Sequence, residues 1–126
     1  MPRGFTGAGV RGSVPYRMRP LSDIEIQRAL GGLAGWSRKG DTLVRTYQFA
    51  AFPDGIAFLQ RVADVAEAQQ HHPDVDVRYT KLVFHLSTHD AGGITEKDFA
   101  LAHAVDALFE GSTGEALPPD GFIPRA

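Results

Sequence analysis

The chain is 126 residues long, with 43% hydrophobic and 22% charged residues, a net charge of −2 and no cysteine. This size suits one domain with a single core, and the charge does not favour a nucleic-acid-binding or membrane-binding surface. The absence of cysteine excludes disulfides, a thiolate zinc site and a cysteine nucleophile. No apolar run approaches the ~20 residues that cross a bilayer, and no signal-peptide core stands near the start. We therefore expect a cytoplasmic protein.

The two ends of the chain differ in composition from its centre. Residues 1–20 contain four glycines, three prolines and four arginines but no acidic residue. Such a segment cannot bury much apolar surface, so it is predicted to form a flexible N-terminal arm. A nucleic-acid-binding arm and a transit peptide are alternatives, and Met18 is a second candidate for the true start. Residues 111–126 are predicted to form a C-terminal tail, which leaves the folded domain at residues 21–110.

The first predicted elements are a helix and a strand. Ser22 and Glu25 have the spacing of a capping box, which begins a helix, and Gly31-Gly32 ends it. A turn then leads into a strand at residues 42–49. Its apolar residues share one face with an arginine at a period of two, the pattern of a strand with one mostly apolar face. These residues are Leu43, Arg45, Tyr47 and Phe49.

The rest of the domain predicts two more helices with strands between them. Pro53-Asp54-Gly55 begins a helix that must end by His72, because the residue before a proline avoids the helical conformation. Alternation over residues 75–88 predicts two short strands or one bent strand, and Gly92-Gly93 breaks the chain before the last helix. The predicted apolar residues of the two helices are Ile56, Leu59, Val62, Ala63 and Ala66, and Leu101, Ala102, Val105, Leu108 and Phe109.

This order of elements predicts an α+β fold of two layers, with helices covering one face of an antiparallel sheet. The residues best suited to chemistry lie late in the domain and follow the spacing Glu-x3-His-His-Pro-x5-Tyr-x9-His-x8-Asp. In this chain the pattern comprises Glu67, His71, His72, Pro73, Tyr79, His89 and Asp98.

The pattern resembles that of the pterin-4a-carbinolamine dehydratases, also described as dimerization cofactors of a homeodomain transcription factor. The resemblance covers roughly residues 21–109 and implies three helices packed on one face of a four-stranded antiparallel sheet. It also implies an activity, the removal of water from 4a-hydroxytetrahydropterin to give quinonoid dihydropterin, in support of tetrahydropterin recycling. No metal and no redox cofactor is expected for this reaction.

Histidine suits such a dehydration because its unperturbed pKa of ~6.5 lies close to working pH. One group must protonate the departing hydroxyl while another takes a proton from a ring nitrogen, and imidazoles can divide these roles. His71 is the main candidate, since a helix C-terminus and Glu67, four residues earlier, both favour the charged imidazole. The resemblance adds His72 and His89 as catalytic residues.

Four further residues are expected to contact or support the substrate on the strength of the resemblance: Glu67, Ser87, Thr88 and Asp98. His89 is expected to end the last strand and to line a cleft there. Many relatives carry a tryptophan soon after the histidine pair, where this chain has Val75-Asp76. An aromatic stacking surface is therefore not expected at that place, although no acid/base residue is missing.

Asp98 has a second explanation, because Thr95-x-x-Asp98 is also a capping box. Capping the last helix and orienting a histidine are compatible roles for one carboxylate. Tyr79 is expected in the core, as is usual for an aromatic residue on an alternating strand. His103 and Asp106 are expected on a solvated helix face, without a role in the chemistry.

Two other functions are compatible with these residues. One is a histidine-rich zinc or iron site, although adjacent histidines rarely converge on one ion. The other is a non-catalytic binding module, either a transcriptional coactivator or an assembly chaperone on the same fold, which would have no chemical need for the histidines. The expected partners are a small pterin, a second or further copies in a homodimer or homotetramer, and, functionally, an aromatic amino acid hydroxylase. Direct nucleic-acid binding is not expected.

Overall fold

A computed structural model describes residues 19–110, 112 and 114–116 of the protein. The predicted arm at residues 1–20 and the predicted tail at residues 111–126 lie outside these residues, except for positions 19, 20, 112 and 114–116. Within the described residues, no helix combines the length and the apolar character that a membrane span needs. The elements are α1 (Asp23–Leu30), β1 (Ser37–Lys39), β2 (Thr42–Gln48), α2 (Phe52–Gln69), β3 (Asp74–Arg78), β4 (Lys81–Leu86), α3 (Glu96–Phe109) and β5 (Glu115–Ala116).

The sheet is antiparallel, with the strand order β1-β2-β4-β3. The short strand β5 adds to β2 beside Tyr47 and Gln48. β3 and β4 form a hairpin, so the alternating segment is two strands and not one bent strand. The hairpin turns at Tyr79 and Thr80, between the paired residues Arg78 and Lys81.

The prediction that Tyr79 lies in the core is wrong. Tyr79 has a φ of 57° and is 78% exposed. A two-residue hairpin turn requires a positive φ there, and the turn points the ring away from both layers. A residue that looks like part of an alternating strand therefore sits at the tip between two strands, where there is no core to enter.

The helices cover one face of the sheet, as the α+β prediction requires. Residues on one face of β2 and β4 join residues of the helices in a single buried cluster, whereas alternate residues such as Val44 and His85 stay only partly buried. Aromatic rings fill the centre of this cluster, with Tyr47 and Phe58 5.5 Å apart between centroids. The central members are Leu43, Tyr47, Phe58, Val62, Leu82, Phe84, Leu86, Leu101 and Val105.

The predicted apolar stripe of α2 is only partly right. Val62 and Ala66 are buried, but Ile56 is 39% exposed and Ala63 is exposed. Phe58, which was not in the predicted stripe, is fully buried. Its large ring contacts the aromatic residues of the sheet, and this contact decides which side of the helix faces inward.

The expectation for Asp106 is also wrong, although His103 is exposed as expected. The Asp106 carboxylate accepts hydrogen bonds from the Tyr47 hydroxyl, from Arg45 at 3.0 Å and from the Trp36 indole at 3.1 Å. Burial of the Tyr47 ring, together with its bond to Asp106, raises the pKa of the tyrosine hydroxyl. This carboxylate ties α3 to the sheet, and its side chain points to the packed side of the helix.

Candidate active site

The end of α2 sets the positions of the two adjacent histidines. Gln70 adopts the left-handed conformation, with φ 54° and ψ 42°. The His71 amide then donates to the Ala66 carbonyl at 3.0 Å, and the Gln70 amide donates to the Glu67 carbonyl at 3.1 Å. This pattern is a Schellman motif, which ends the helix before the proline as predicted. The chain leaves the helix with His71 buried and His72 exposed.

His71 forms a buried pair with Asp98. His71 is 8% exposed and Asp98 is fully buried, and their Nε2 and Oδ1 atoms are 2.5 Å apart. The other carboxylate oxygen of Asp98 accepts two hydrogen bonds, one from the Thr95 backbone amide at 2.9 Å and one from the Thr88 hydroxyl at 2.8 Å. The hydrogen bond from the Thr95 amide belongs to the capping box of α3. One carboxylate therefore both caps a helix and binds the imidazole ring.

Glu67 contacts a different histidine from the one expected. Its carboxylate lies 2.5 Å from Nε2 of His72, and both side chains are largely exposed. Glu67 does not support His71, because the Schellman turn carries His71 off the helical face before an i, i+4 contact can form. The charge partner of His71 is Asp98, which lies 27 positions later in the chain.

His89 lies beyond β4 and does not end that strand, as it was expected to do. β4 finishes at Leu86, and His89 begins a 3-10 turn that runs to Ala91. Gly92 follows with a φ of 77°, a conformation that glycine adopts without strain. The loop closes on itself through the hydrogen bond from the Thr88 amide to the Gly93 carbonyl at 2.9 Å. This closed loop holds His89 in an exposed position.

An open cleft of about 290 Å³ brings most of the predicted site residues together. Its volume is close to the lower end of the range for small-molecule sites. Two predicted residues do not line it: Asp98 lies beneath it, and Glu67 reaches it only through His72. The residues that line the cleft are Gln70, His71, His72, Pro73, Asp74, Ser87, Thr88, His89, Asp90 and Lys97.

Three charged residues of the cleft were missed in the sequence: Asp74, Asp90 and Lys97. Each is adjacent in the sequence to a residue of the motif, and this adjacency was the only signal that the sequence offered. Lys97 stands in the first turn of α3, where its backbone amide donates to the Thr95 hydroxyl at 3.1 Å. Adjacency alone does not say which neighbours of a motif residue share its cavity, since that depends on how helix and loop meet.

This arrangement is suited to proton transfer on a small polar molecule. It combines one buried and oriented imidazole with two exposed imidazoles and an ammonium group around one cleft. Among residues 19–110, no group of three or more histidine, aspartate or glutamate side chains is arranged to hold a metal ion.

Comparison with known proteins gives a consistent result. The family model described as pterin 4 alpha carbinolamine dehydratase matches residues 19–108. A protein of Roseiflexus sp. (strain RS-1) is 51% identical over 88 residues, which are 70% of this chain and 95% of the relative. A protein of Mycobacteroides abscessus is 52% identical over 89 residues, which are 71% of this chain and 95% of the relative. Both carry the name "Putative pterin-4-alpha-carbinolamine dehydratase".

A solved structure shares the fold. The crystal structure of a "transcriptional coactivator/pterin dehydratase" from Brucella melitensis superposes with a TM-score of 0.69 at 29% identity. The match covers 71% of this chain and 98% of the Brucella chain. The family model spans most of the described residues, and the relatives are about 50% identical to this chain. The chain belongs to the pterin-4a-carbinolamine dehydratase family.

Proposed function

We propose that the protein removes water from a 4a-hydroxytetrahydropterin by histidine general acid/base catalysis. The observation that carries this proposal is the buried His71–Asp98 pair at the side of an open cleft. A buried carboxylate that holds one nitrogen of an imidazole orients the ring for proton transfer through the other nitrogen. The family membership and the names of the relatives support the same reaction.

The proposed reaction breaks the bond between C4a and its hydroxyl oxygen. The leaving hydroxyl takes one proton from an acid and a ring nitrogen gives one proton to a base, so the products are water and quinonoid dihydropterin. Because Nε2 of His71 is committed to Asp98, Nδ1 is the nitrogen that serves the substrate. His89 lies on the closed loop at the edge of the cleft and carries out the complementary proton transfer. His72 is the third catalytic imidazole, and Glu67 holds it.

The remaining predicted residues serve binding in this proposal. Ser87 and Thr88 line the cleft just after β4, and the Ser87 backbone can bond the edge of a flat pterin. The Thr88 backbone is bound within the closed loop, so Thr88 bounds the pterin site without donating its amide to it. Glu67 and Asp98 act on the substrate through His72 and His71, since neither lines the cleft.

The test is the rate of 4a-hydroxytetrahydropterin dehydration above the spontaneous rate. We expect wild-type protein to accelerate the reaction and His71→Ala to lose about 10²-fold or more, the usual contribution of a positioned acid/base group. His103→Ala is the matched control, because His103 is exposed on α3 and does not line the cleft. A folded His71→Ala variant with wild-type turnover would refute the assigned role, and a folded wild type without activity would refute the dehydratase.

Partner binding is a second proposed function. The Brucella protein of the same fold carries both "coactivator" and "dehydratase" in its description. In this chain, an apolar groove of about 240 Å³ runs between α2 and β3 and shares His72 and Pro73 with the cleft. A binding module without chemistry is the function that remains if folded wild type fails to dehydrate the pterin.

Self-association is part of the proposal. Within the described chain β3 pairs only with β4, so its outer edge is open, and Val77 on it is 41% exposed. Open edges favour pairing with a second copy, which supports a homodimer or homotetramer. Sedimentation of wild type beside Val77→Lys measures this directly, and a wild type that sediments as a monomer would refute it. A cytoplasmic location, tetrahydropterin recycling and a substrate supplied by an aromatic amino acid hydroxylase complete the proposal.

A further inference from the structure

A buried chain of hydroxyl groups leads away from the His71–Asp98 pair. We propose that Thr95, which does not line the cleft, is a positioning residue that acts on His71 through Thr88 and Asp98. This inference rests on the proposed function, since it concerns how the same catalytic imidazole is held. It assigns a role in the reaction to a residue outside the histidine motif.

The direction of each hydrogen bond in the chain follows from the number of protons available. The Thr88 hydroxyl donates its one proton to Oδ2 of Asp98 at 2.8 Å. Thr88 must therefore accept in its 2.8 Å contact with the Thr95 hydroxyl, which makes Thr95 the donor. The Thr95 oxygen in turn accepts the Lys97 amide at 3.1 Å. The chain runs one way, from the first turn of α3 through two hydroxyls to the carboxylate.

The hydrogen-bond chain also fixes the orientation of the Asp98 carboxylate toward the histidine. Two donors, the Thr88 hydroxyl and the Thr95 amide, bind Oδ2 of Asp98, and the other oxygen, Oδ1, faces Nε2 of His71. If the carboxylate turned about its last bond, it would lose both donors at once. The two threonines therefore restrict the carboxylate to the orientation that binds the imidazole.

Burial makes the chain effective. Thr95 and Asp98 are fully buried, Thr88 is 4% exposed and His71 is 8% exposed. Hydrogen bonds in such low-dielectric surroundings are stronger than in water, and each bond in a chain polarises the next. Because Thr95 is fully buried, solvent does not reach the place of its hydroxyl, and the removal of that hydroxyl affects the imidazole.

The experiment uses full-length Thr95→Val, which keeps the shape of the side chain and removes the hydroxyl. Two quantities are measured: kcat and KM for dehydration, and the proton resonance of the His71 Nε2–H group in substrate-free protein. We expect kcat to fall about 10-fold, the size of one lost bond in a charged network, with KM changed less than about 2-fold. The resonance should shift or broaden, because the ring is held less firmly.

Two further variants separate positioning from stability. Thr95→Ser restores the hydroxyl, and we expect it to recover kcat to within about 2-fold of wild type and to restore the resonance. Ser22→Ala removes the equivalent cap of α1, which lies outside the cleft. It should lower stability, as the loss of an N-cap does, while leaving kcat and the resonance unchanged. An equal loss of kcat in Ser22→Ala would overturn the proposal.

A double variant tests the path itself. Thr88→Val should lower kcat more than Thr95→Val, because Thr88 contacts the carboxylate directly. If Thr95 acts through Thr88, then adding Thr95→Val to Thr88→Val lowers kcat no further. If the kcat loss of the double variant equals the product of the two single losses, the proposed path through Thr88 is overturned. The proton resonance of His71 tests the hydrogen-bond chain independently of turnover. A wild type without activity would therefore refute the dehydratase and leave this measurement valid.

Discussion

Helices α1 and α3 begin with the same local pattern and end up in opposite surroundings. In α1, Ser22 and Glu25 form a capping box with bonds of 2.7 Å and 3.2 Å, and Ser22 is exposed. The Ser22 backbone amide is the main cause that lowers the pKa of Glu25. In α3, Thr95 and Asp98 form the equivalent box, and both residues are fully buried. The exposed box only begins a helix, whereas the buried box also binds His71.

The same contrast recurs in the arginine–aspartate pairs of the two helices. Asp23 of α1 bonds Arg38 at 2.8 Å with its own side chain 91% exposed. Asp106 of α3 bonds Arg45 at 3.0 Å, with both side chains mostly buried and with Tyr47 and Trp36 as further donors. The difference shows that depth and number of partners decide what a carboxylate does, because solvent screens an exposed pair and leaves a buried one strong.

The largest expected effect concerns the two capping boxes. Asp98→Asn should lower dehydratase turnover by about 10²-fold or more, because the neutral amide no longer holds the His71 imidazole as a charged acceptor does. Glu25→Gln, its counterpart in α1, should leave turnover unchanged. Steady-state rates of both folded variants measure the contrast, and equal activity in the two would remove the distinction drawn between the boxes.

The second effect concerns the arginine–aspartate pairs. Asp106→Asn should lower the free energy of unfolding by about 2–4 kcal/mol, since it leaves the mostly buried Arg45 guanidinium without its charge partner. Asp23→Asn should lower it by less than about 0.5 kcal/mol, as is usual for an exposed pair. Urea unfolding of both variants tests this. A similar midpoint for the two would show that Asp106 contributes no more than a surface carboxylate.

The smallest expected effect is a pH dependence of stability that arises from Tyr47, the residue whose hydroxyl bonds Asp106. The folded pKa of Tyr47 is raised above its unfolded value of ~10, so this group stabilises the fold fully below that pH. The contribution is lost as pH rises further, because the unfolded chain then ionises and the folded chain does not. Tyr47→Phe should therefore be less stable than wild type at pH 8, with a smaller deficit at pH 11. The same difference at both pH values in urea unfolding would contradict this.

Much of the fold was predictable from local pattern. The capping boxes at Ser22 and Thr95, the alternation of β2 and the proline after the histidine pair all act through neighbouring residues, so the elements they set were correctly predicted. Errors arose where distant residues decide. The buried face of α2 depends on Phe58 meeting rings of the sheet, and the inward side of Asp106 depends on Tyr47, 59 positions earlier.

The candidate site divides in the same way. The spacing of its histidines was visible in the chain, and the cleft brings His71, His72 and His89 together. The partners of the histidines were not visible. Glu67 stands four residues before His71 yet binds His72, because the left-handed Gln70 turns the chain between them. Lys97 lines the cleft only because α3 packs beside the closed loop.

The sequence by itself determined the three helices, the strand β2, the two-layer class of the fold and the family, because capping, alternation and motif spacing are short-range features. Only the tertiary structure decided which capping box is buried, which carboxylate holds each histidine and which charged residues share the cleft. These outcomes depend on contacts such as His71 with Asp98, between residues 27 positions apart. No local pattern contains such a contact, since it exists only once α3 and the end of α2 pack against the same sheet.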